Sequence, residues 1–138
     1  MIAEKFITSV SGLFDFALYF GSSVILVILF LAVYVRVTPY REFKLISEGN
    51  LAAAYSFSGA LLGFAIPLAS AVAHSVGLID MIIWGTIALI VQIITFFVVK
   101  TIFPSIVLDI PANHASKGLF LGVVSLTVGI LNAACITY

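Results

Sequence analysis

The chain has 138 residues, of which 63% are hydrophobic and 9% are charged. Soluble domains carry about 25% charged residues, and a soluble fold of this length could not bury so much apolar surface. The composition therefore excludes an ordinary soluble domain and favours the lipid bilayer as solvent. The formal net charge is zero, which gives no reason to expect nucleic acid as a partner. Cys135 is the only cysteine, so an internal disulfide is excluded. A small packing residue is favoured there over an intermolecular disulfide.

The N-terminal sequence MIAEKFITSVSGLFDFALYF differs from a cleaved signal peptide. Glu4 precedes the first base, Lys5, and Asp15 interrupts the apolar run. Apolar residues recur at helical spacing, which predicts a short helix over residues 2–14 lying at the membrane interface. Residues 1–15 are therefore predicted to form an interfacial segment. A direct extension of the first membrane span is the alternative.

Four apolar segments follow, each close to the length of about 20 residues that crosses the hydrocarbon core. They cover residues 16–37, 51–76, 81–103 and 116–138. Backbone groups inside a bilayer must pair within their own segment, so the segments are predicted to be helices. The predicted fold class is an all-α polytopic membrane protein with four transmembrane helices.

Basic residues predict the orientation in the membrane. The first and third connections hold or adjoin five bases, whereas the other side of the membrane receives only Lys5; the five are Arg36, Arg41, Lys44, Lys100 and Lys117. Positive residues favour the cytoplasmic side. Both termini are therefore predicted to lie outside and the two longer connections inside.

Aromatic residues are compatible with this orientation. Tyrosine and tryptophan favour the two interfaces of a membrane. The predicted outer belt contains Tyr19, Trp84 and Tyr138, and the predicted inner belt contains Tyr34 and Tyr40.

One stretch occurs twice in related form. NLAAAYSFSGALLG begins at Asn50, and NHASKGLFLGVVSL begins at Asn113. The two stretches align Asn50 with Asn113 and Gly59 with Gly122. The pattern predicts two tandem helical hairpins, residues 16–76 and 77–138, that enter the membrane from the same side as a parallel repeat.

The chain resembles the YjfL-like family of bacterial inner-membrane proteins, domain-of-unknown-function family 350. The resembling stretches are TPYREFKLISEGNLAAAYSFSGALLGFAIPLASA, WGTIALIVQ and NHASKGLFLGVVSLTVGILNAACITY. The resemblance implies a duplicated two-helix unit in the bacterial inner membrane. It implies no activity, cofactor or catalytic residue.

Small residues dominate the second and fourth spans. Helices in lipid associate through close packing, which small residues permit, so Gly59, Gly63, Gly118 and Gly122 are predicted packing residues. The second and fourth spans are then the inner helices, covered by the first and third. The alternative is that these faces line a narrow cavity or a neighbouring copy in a homo-oligomer.

A proline lies in the middle of the second span. Pro67 removes a backbone hydrogen bond and is predicted to kink the helix. The Ser70 hydroxyl is a candidate partner for the freed carbonyl. The kink either fits the bundle or shapes a pore.

Polar side chains within the spans are the remaining candidates for a pathway. Gln92 and Asn132 lie inside the third and fourth spans, and His74 lies towards the end of the second. These side chains and Ser70 either bridge helices or line a path. The span centres contain no Asp, Glu, Lys or Arg, which argues against a proton-coupled pump. The pattern predicts no metal site, no cofactor and no nucleophile–base arrangement, so the protein is not expected to be an enzyme.

Asn50 and Asn113 each precede a predicted helix. Asparagine caps the exposed backbone donors of a helix start, and this is the simpler interpretation. Alternatively, both asparagines hold an anion or a lipid phosphate at the inner face. The charge would then come from Arg36, Arg41, Lys44, Lys100 and Lys117, which anionic lipids alone would also satisfy.

Two functions remain open from the sequence. One is an oligomeric conduit for an ion or small solute, formed between copies. The other is a membrane scaffold whose inner connection YREFKLISEG recruits a cytoplasmic partner connected with membrane stress or lipid organisation.

Overall fold

The structure, a computed structural model, describes residues 1–136. Within them all regular structure is helical and no strand occurs. The helices are α1 (Ile2–Val37), α2 (Glu42–Ser47), α3 (Leu51–His74), α4 (Leu78–Ile102), α5 (Ile106–Asp109) and α6 (Ala115–Cys135). The four long helices α1, α3, α4 and α6 are each long and apolar enough to cross a membrane. The predicted all-α fold with four spans is confirmed.

Prolines and one glycine terminate or redirect the helices. α1 ends two residues before Pro39, and α4 ends two residues before Pro104, because proline disfavours helical backbone in the residue that precedes it. Gly49 adopts a left-handed φ of 85°, which glycine tolerates, and there the chain turns into α3. The short helices α2 and α5 lie in the two connections, so both occupy one end of the bundle, called here the loop end.

α3 is the central helix. It has its most extensive contacts with α6 and also packs against α4 and α1. α6 is less buried than α4. It exposes a row of large apolar side chains on its other face: Leu119, Phe120, Val123, Ile130 and Leu131. The prediction that the fourth span is an inner helix is therefore wrong for this face, because α3 alone occupies the centre.

α1 is one unbroken helix of 36 residues. At 1.5 Å per residue it is about 54 Å long, whereas the hydrocarbon core is about 30 Å thick. The separate short helix predicted for residues 2–14 is continuous with the span, in agreement with the alternative interpretation. Phe6, Leu13 and Phe14 of this extension are exposed.

The predicted aromatic belts are only partly represented. Tyr34 and Tyr40, expected at the inner interface, are buried, because both pack into the loop end of the bundle. Tyr19 and Trp84 are half-buried. Tyr138 lies outside the described residues.

Candidate functional site

The closest helix contact is the one between α3 and α6, called here the seam. A Cβ atom built on Gly59 would overlap the Gly122 backbone, and one built on Gly118 would overlap the Ala52 carbonyl. The order of these contacts shows that α3 and α6 run in the same direction. The seam consists of Ala52, Gly59 and Gly63 on α3 and Gly118, Gly122 and Gly129 on α6. It therefore includes all four predicted packing glycines.

Pro67 lies buried inside α3 and leaves the Gly63 carbonyl without its helical donor. That carbonyl faces Gly129, where an added Cβ would collide with it. The predicted contact from the Ser70 hydroxyl is not among the hydrogen bonds of residues 1–136. Ser70 instead offers its own carbonyl oxygen, which lies 3.1 Å from His74 Nδ1.

Gln92 connects α4 to α6 beside the seam. Its side chain is almost fully buried, and Nε2 donates a hydrogen bond to the Ser125 carbonyl at 3.0 Å. A Cβ on Gly63 would press against Nε2, so this glycine makes room for the amide. Gln92 is thus placed as an interhelical contact, although its Oε1 has no partner among the described residues.

Asn132 is not close to Gln92 along the bundle. It lies seven residues beyond Ser125 on α6, a distance of about 10 Å along the helix. Its Nδ2 is buried and has no hydrogen-bond partner within residues 1–136. The two predicted pathway residues therefore do not share one site.

Asn50 and Asn113 tie the two connections together. Asn50 Oδ1 accepts a hydrogen bond from Ala53 N at 2.8 Å, and its Nδ2 donates to the Ile110 carbonyl at 2.9 Å. Asn50 thus caps α3 as predicted. Its amide group also holds the other connection in place.

The capping role predicted for Asn113 is wrong. Asn113 Oδ1 accepts hydrogen bonds from Leu51 N at 2.8 Å and Ala52 N at 3.2 Å, so it caps α3 and not its own helix. The N-cap of α6 is His114, which makes no capping bond through its side chain. Asn113 has a left-handed φ of 61°, a conformation that asparagine tolerates.

The five predicted basic residues do not converge on one anion site. Arg36, Arg41 and Lys44 are exposed. Lys100 lies over the Phe97 ring and Lys117 over the Phe103 ring. The side chains of Asn50 and Asn113 already form hydrogen bonds with backbone groups. They therefore do not combine with these bases into one anion-binding site.

Asp109 organises the second connection. Its Oδ2 accepts a hydrogen bond from the Ser105 hydroxyl at 2.9 Å, and Oδ1 lies 3.1 Å from His114 Nδ1. Lys117 Nζ is 3.8 Å away. Chiefly the Ser105 hydrogen bond, with help from His114 and Lys117, lowers the pKa of the Asp109 carboxyl.

A buried acid lies in the first connection, at a position the sequence did not single out. Glu42 is 1% exposed, and the Thr38 hydroxyl donates a hydrogen bond to its Oε1. The hydroxyl groups of Tyr34 and Tyr40 are also buried, and neither they nor Glu42 Oε2 have a hydrogen-bond partner among the described residues. These four residues, Tyr34, Thr38, Tyr40 and Glu42, are called here the Glu42 cluster.

Apolar surroundings set the electrostatics of this cluster. The Tyr34 ring stacks on Phe57 and packs against Phe30 and Phe96. Burial raises the pKa of the Glu42 carboxyl, although the Thr38 hydrogen bond partly opposes this effect. Burial, followed by the nearby Glu42 charge, also raises the pKa of Tyr40. The uncharged forms of both groups are therefore favoured.

Open pockets lie on the surface of the described chain, and three of them are relevant to the site. One, of about 280 Å³, lies between α1 and α3 and is lined largely by alanines. A second, of about 160 Å³, is the groove on the outer side of the α3–α6 pair, where Tyr55, Ser58 and Gly59 meet Leu119 and Gly122. A third, of about 330 Å³, lies beside Glu42 and is also lined by Arg41 and Lys44.

Comparison with known proteins places the chain in a family. The model of the family described as "Domain of Unknown Function (DUF350)" matches residues 8–136. The chain belongs to this family. The DUF350 chain is 41% identical to the UPF0719 inner membrane protein YjfL of Escherichia coli K12, over 92% of its own length and 96% of that protein.

A more distant relative agrees with this assignment. The UPF0719 transmembrane protein YshE of Bacillus subtilis strain 168 is 29% identical to the DUF350 chain, over 88% of this chain and 92% of that protein. No solved structure matches the chain. The names of the relatives and the four apolar helices support a multi-pass protein of the bacterial inner membrane.

Proposed function

We propose that the protein is a homo-oligomeric conduit for an ion or small solute, with the path between copies of the chain. The observation that carries this proposal is a contrast between two sides of the α3–α6 pair. The facing sides are closed backbone to backbone at the seam. The outer side has an open groove with Tyr55 and Ser58 in its lining.

Hydroxyl groups on the outer side give a reason to place a path there. Ser58 lies seven residues into α3, about 10 Å from the start of the helix. A polar group at that depth gains no hydrogen bond from lipid. Water or a second copy would supply one, and the neighbouring Gly59 and Gly122 allow a close approach.

Orientation and lipid partners belong to the same proposal. Arg36, Arg41 and Lys44 are exposed at the loop end, where they suit the anionic headgroups of a cytoplasmic leaflet. The loop end is therefore proposed to face the cytoplasm, with both termini outside. We propose no enzymatic activity.

Disulfide cross-linking tests the proposed contact between copies. In a Cys135→Ser background, Ser58→Cys is expected to form a covalent dimer on mild oxidation in native membranes. The matched control is Ile94→Cys, which is exposed on α4 at a similar distance from the loop end and is expected to stay monomeric. Equal cross-linking of both variants, or no cross-linking of the Ser58→Cys variant, would contradict the proposal.

Flux through proteoliposomes tests the path itself. Ser58→Phe fills the groove between copies and is expected to abolish any ion or solute release that the wild-type protein shows. Ile94→Phe enlarges a side chain on the other exposed face and should leave release unchanged. If Ser58→Phe leaves release unchanged, the path does not run through this groove.

A membrane scaffold is the second candidate function. It is favoured by the hydrogen bonds that join the two connections. Asn50 and Asn113 hold both connections as one surface, on which Arg41, Phe43 and Lys44 are exposed. Such a preformed surface suits a cytoplasmic protein partner.

Pull-down from membranes tests the scaffold. Phe43→Ala combined with Lys44→Ala is expected to lose a partner that Glu48→Ala, an exposed change in the same connection, retains. If both variants recover the same proteins at the same expression level, the scaffold is excluded.

A further inference from the structure

The Glu42 cluster is buried and polar, and the proposed conduit does not use it. Glu42 Oε2 and the hydroxyl oxygens of Tyr34 and Tyr40 are each shielded from solvent without a hydrogen-bond partner among residues 1–136. Buried polar atoms are normally paired. Three unpartnered oxygens in one cluster therefore indicate that something binds there.

The Glu42 carboxylate also has no counter-charge in the described chain. The ion pairs of residues 1–136 join Asp109 to His114 and Lys117. Arg41 and Lys44 line the open pocket beside Glu42, but both are exposed and neither forms an ion pair with Glu42 in the described part of the chain. A buried, unpaired carboxylate is strongly unfavourable, so a cation or a proton must accompany it.

A cation accounts for more of the cluster than a proton does. Each tyrosine hydroxyl already carries a donor, yet neither is in hydrogen-bonding geometry with Oε2. A proton on Oε2 therefore neutralises the carboxylate but leaves both hydroxyl groups without a partner among the described residues. A cation is coordinated by several oxygens at once. The Thr38 hydroxyl remains bonded to Oε1 and holds the carboxylate in place.

We propose that Glu42 Oε2 and the hydroxyl oxygens of Tyr34 and Tyr40 form a binding site for a small monovalent cation, Na⁺ or K⁺. An oxygen-only donor set suits hard cations. Mg²⁺ and Ca²⁺ usually take more carboxylates, and no group of three His, Cys, Asp or Glu side chains occurs within the described chain. The site lies within one chain, so it does not depend on the conduit between copies.

Thermal unfolding in nanodiscs tests the site. N-methyl-D-glucamine chloride is replaced by NaCl or by KCl at constant ionic strength. The wild-type Tm is expected to rise with the logarithm of the cation concentration above the Kd, by about 4 °C when the cation reaches about ten times its Kd. The salt that acts at the lower concentration identifies the preferred cation.

Variants assign the response to the cluster. Glu42→Gln is expected to abolish the Tm rise, and Tyr40→Phe to raise the apparent Kd about tenfold. The matched control Glu48→Gln, an exposed acid in the same connection, should keep the wild-type response. A response that survives Glu42→Gln unchanged would overturn the proposal.

Binding of radioactive ²²Na⁺ or ⁸⁶Rb⁺ to the nanodisc-embedded protein gives an independent reading, with Rb⁺ in place of K⁺. One ion per chain is expected for wild type at saturation. Tyr40→Phe, which leaves the carboxylate intact, should need an isotope concentration about tenfold higher for half-saturation. Identical Tm values in all three salts together with no isotope uptake would overturn the proposal. A stability that responds to pH alone would assign the cluster to a proton and would overturn it too.

Discussion

The seam and the Glu42 cluster differ in how many buried polar atoms lack a hydrogen-bond partner among the described residues: one beside the seam, Gln92 Oε1, and three in the cluster. At the seam, the glycines have no side chain, so the backbones of α3 and α6 come into direct contact. Beside it, Gln92 donates a hydrogen bond to the Ser125 carbonyl of α6. At the loop end, one carboxylate oxygen and two hydroxyl groups are buried and have no hydrogen-bond partner within residues 1–136. The seam therefore accounts for how the helices hold together. The cluster holds the polar atoms that we propose bind a cation.

The largest expected effect is at the seam. Gly59→Ala places a Cβ against the Gly122 backbone, which no side-chain rotation relieves, so the free energy of unfolding should fall by about 2–3 kcal/mol. The control is Gly12→Ala in the exposed part of α1, where nothing lies within 4 Å. It should cause no loss. Unfolding in mixed micelles measures both, and equal midpoints would show that the seam is not a tight contact.

The next effect distinguishes the hydrogen bonds that Asn113 makes to α3 from backbone strain at Asn113 itself. Asn113→Gly tolerates the left-handed φ but removes two hydrogen bonds to the start of α3. The free energy of unfolding should fall by about 1 kcal/mol. Hydrogen exchange at Leu51 and Ala52 should rise as well. Unchanged exchange at these two amides would contradict the capping role.

Gln92 gives a smaller effect, because its two polar atoms act in opposite directions. Replacement by methionine loses the hydrogen bond to the Ser125 carbonyl. It also removes Oε1, a buried oxygen that has no partner among the described residues. The free energy of unfolding of Gln92→Met should change by less than about 1 kcal/mol. Gln92→Ala leaves a cavity and should be clearly less stable. Loss of flux in Gln92→Met with wild-type stability would instead assign Gln92 to a path.

The smallest expected effects are on the pH dependence of local stability, which should have opposite signs in the connection that contains Glu42 and the connection that contains Asp109. Burial raises the pKa of Glu42, so residues 38–48 should lose stability as pH rises through that raised pKa. The pKa of Asp109 is lowered, chiefly by Ser105. Residues 105–117 should therefore lose stability as pH falls through the lowered pKa.

Hydrogen exchange between about pH 3 and pH 7, corrected for the intrinsic exchange rate, measures both slopes. The buffer cation should be N-methyl-D-glucamine, so that Na⁺ and K⁺ do not compete with protons at Glu42. Glu42→Gln should remove the first slope and leave the second. Slopes of the same sign in both connections would contradict the assignment.

The spans and the seam could be predicted from the sequence because their signals are local. A run of about 20 apolar residues predicts a membrane helix, and glycines four residues apart predict a close helix contact. Gly59, Gly63, Gly118 and Gly122 accordingly lie in the seam. The predicted duplication, with boundaries near residues 16 and 77, stays a prediction.

Contacts across the fold could not be predicted in the same way. Asn113 precedes α6, but its capping partners belong to α3, more than 60 residues earlier in the chain. Glu42 lies in a charged stretch that is typical of a solvated loop. It is buried only because this stretch folds back against α1 and α3. Tyr34 and Tyr40 are predicted at the inner interface because tyrosine favours membrane interfaces, and the sequence does not show that both pack into the bundle. The local signal was that Thr38 and Tyr40 lie four and two residues before Glu42.

Each chain is closed at its seam, and we propose that its function arises between copies. The most direct test is the mass of the protein released from lipid nanodiscs with its bound lipids retained. The account predicts a closed assembly of several copies. A monomer that carries only lipid would contradict it.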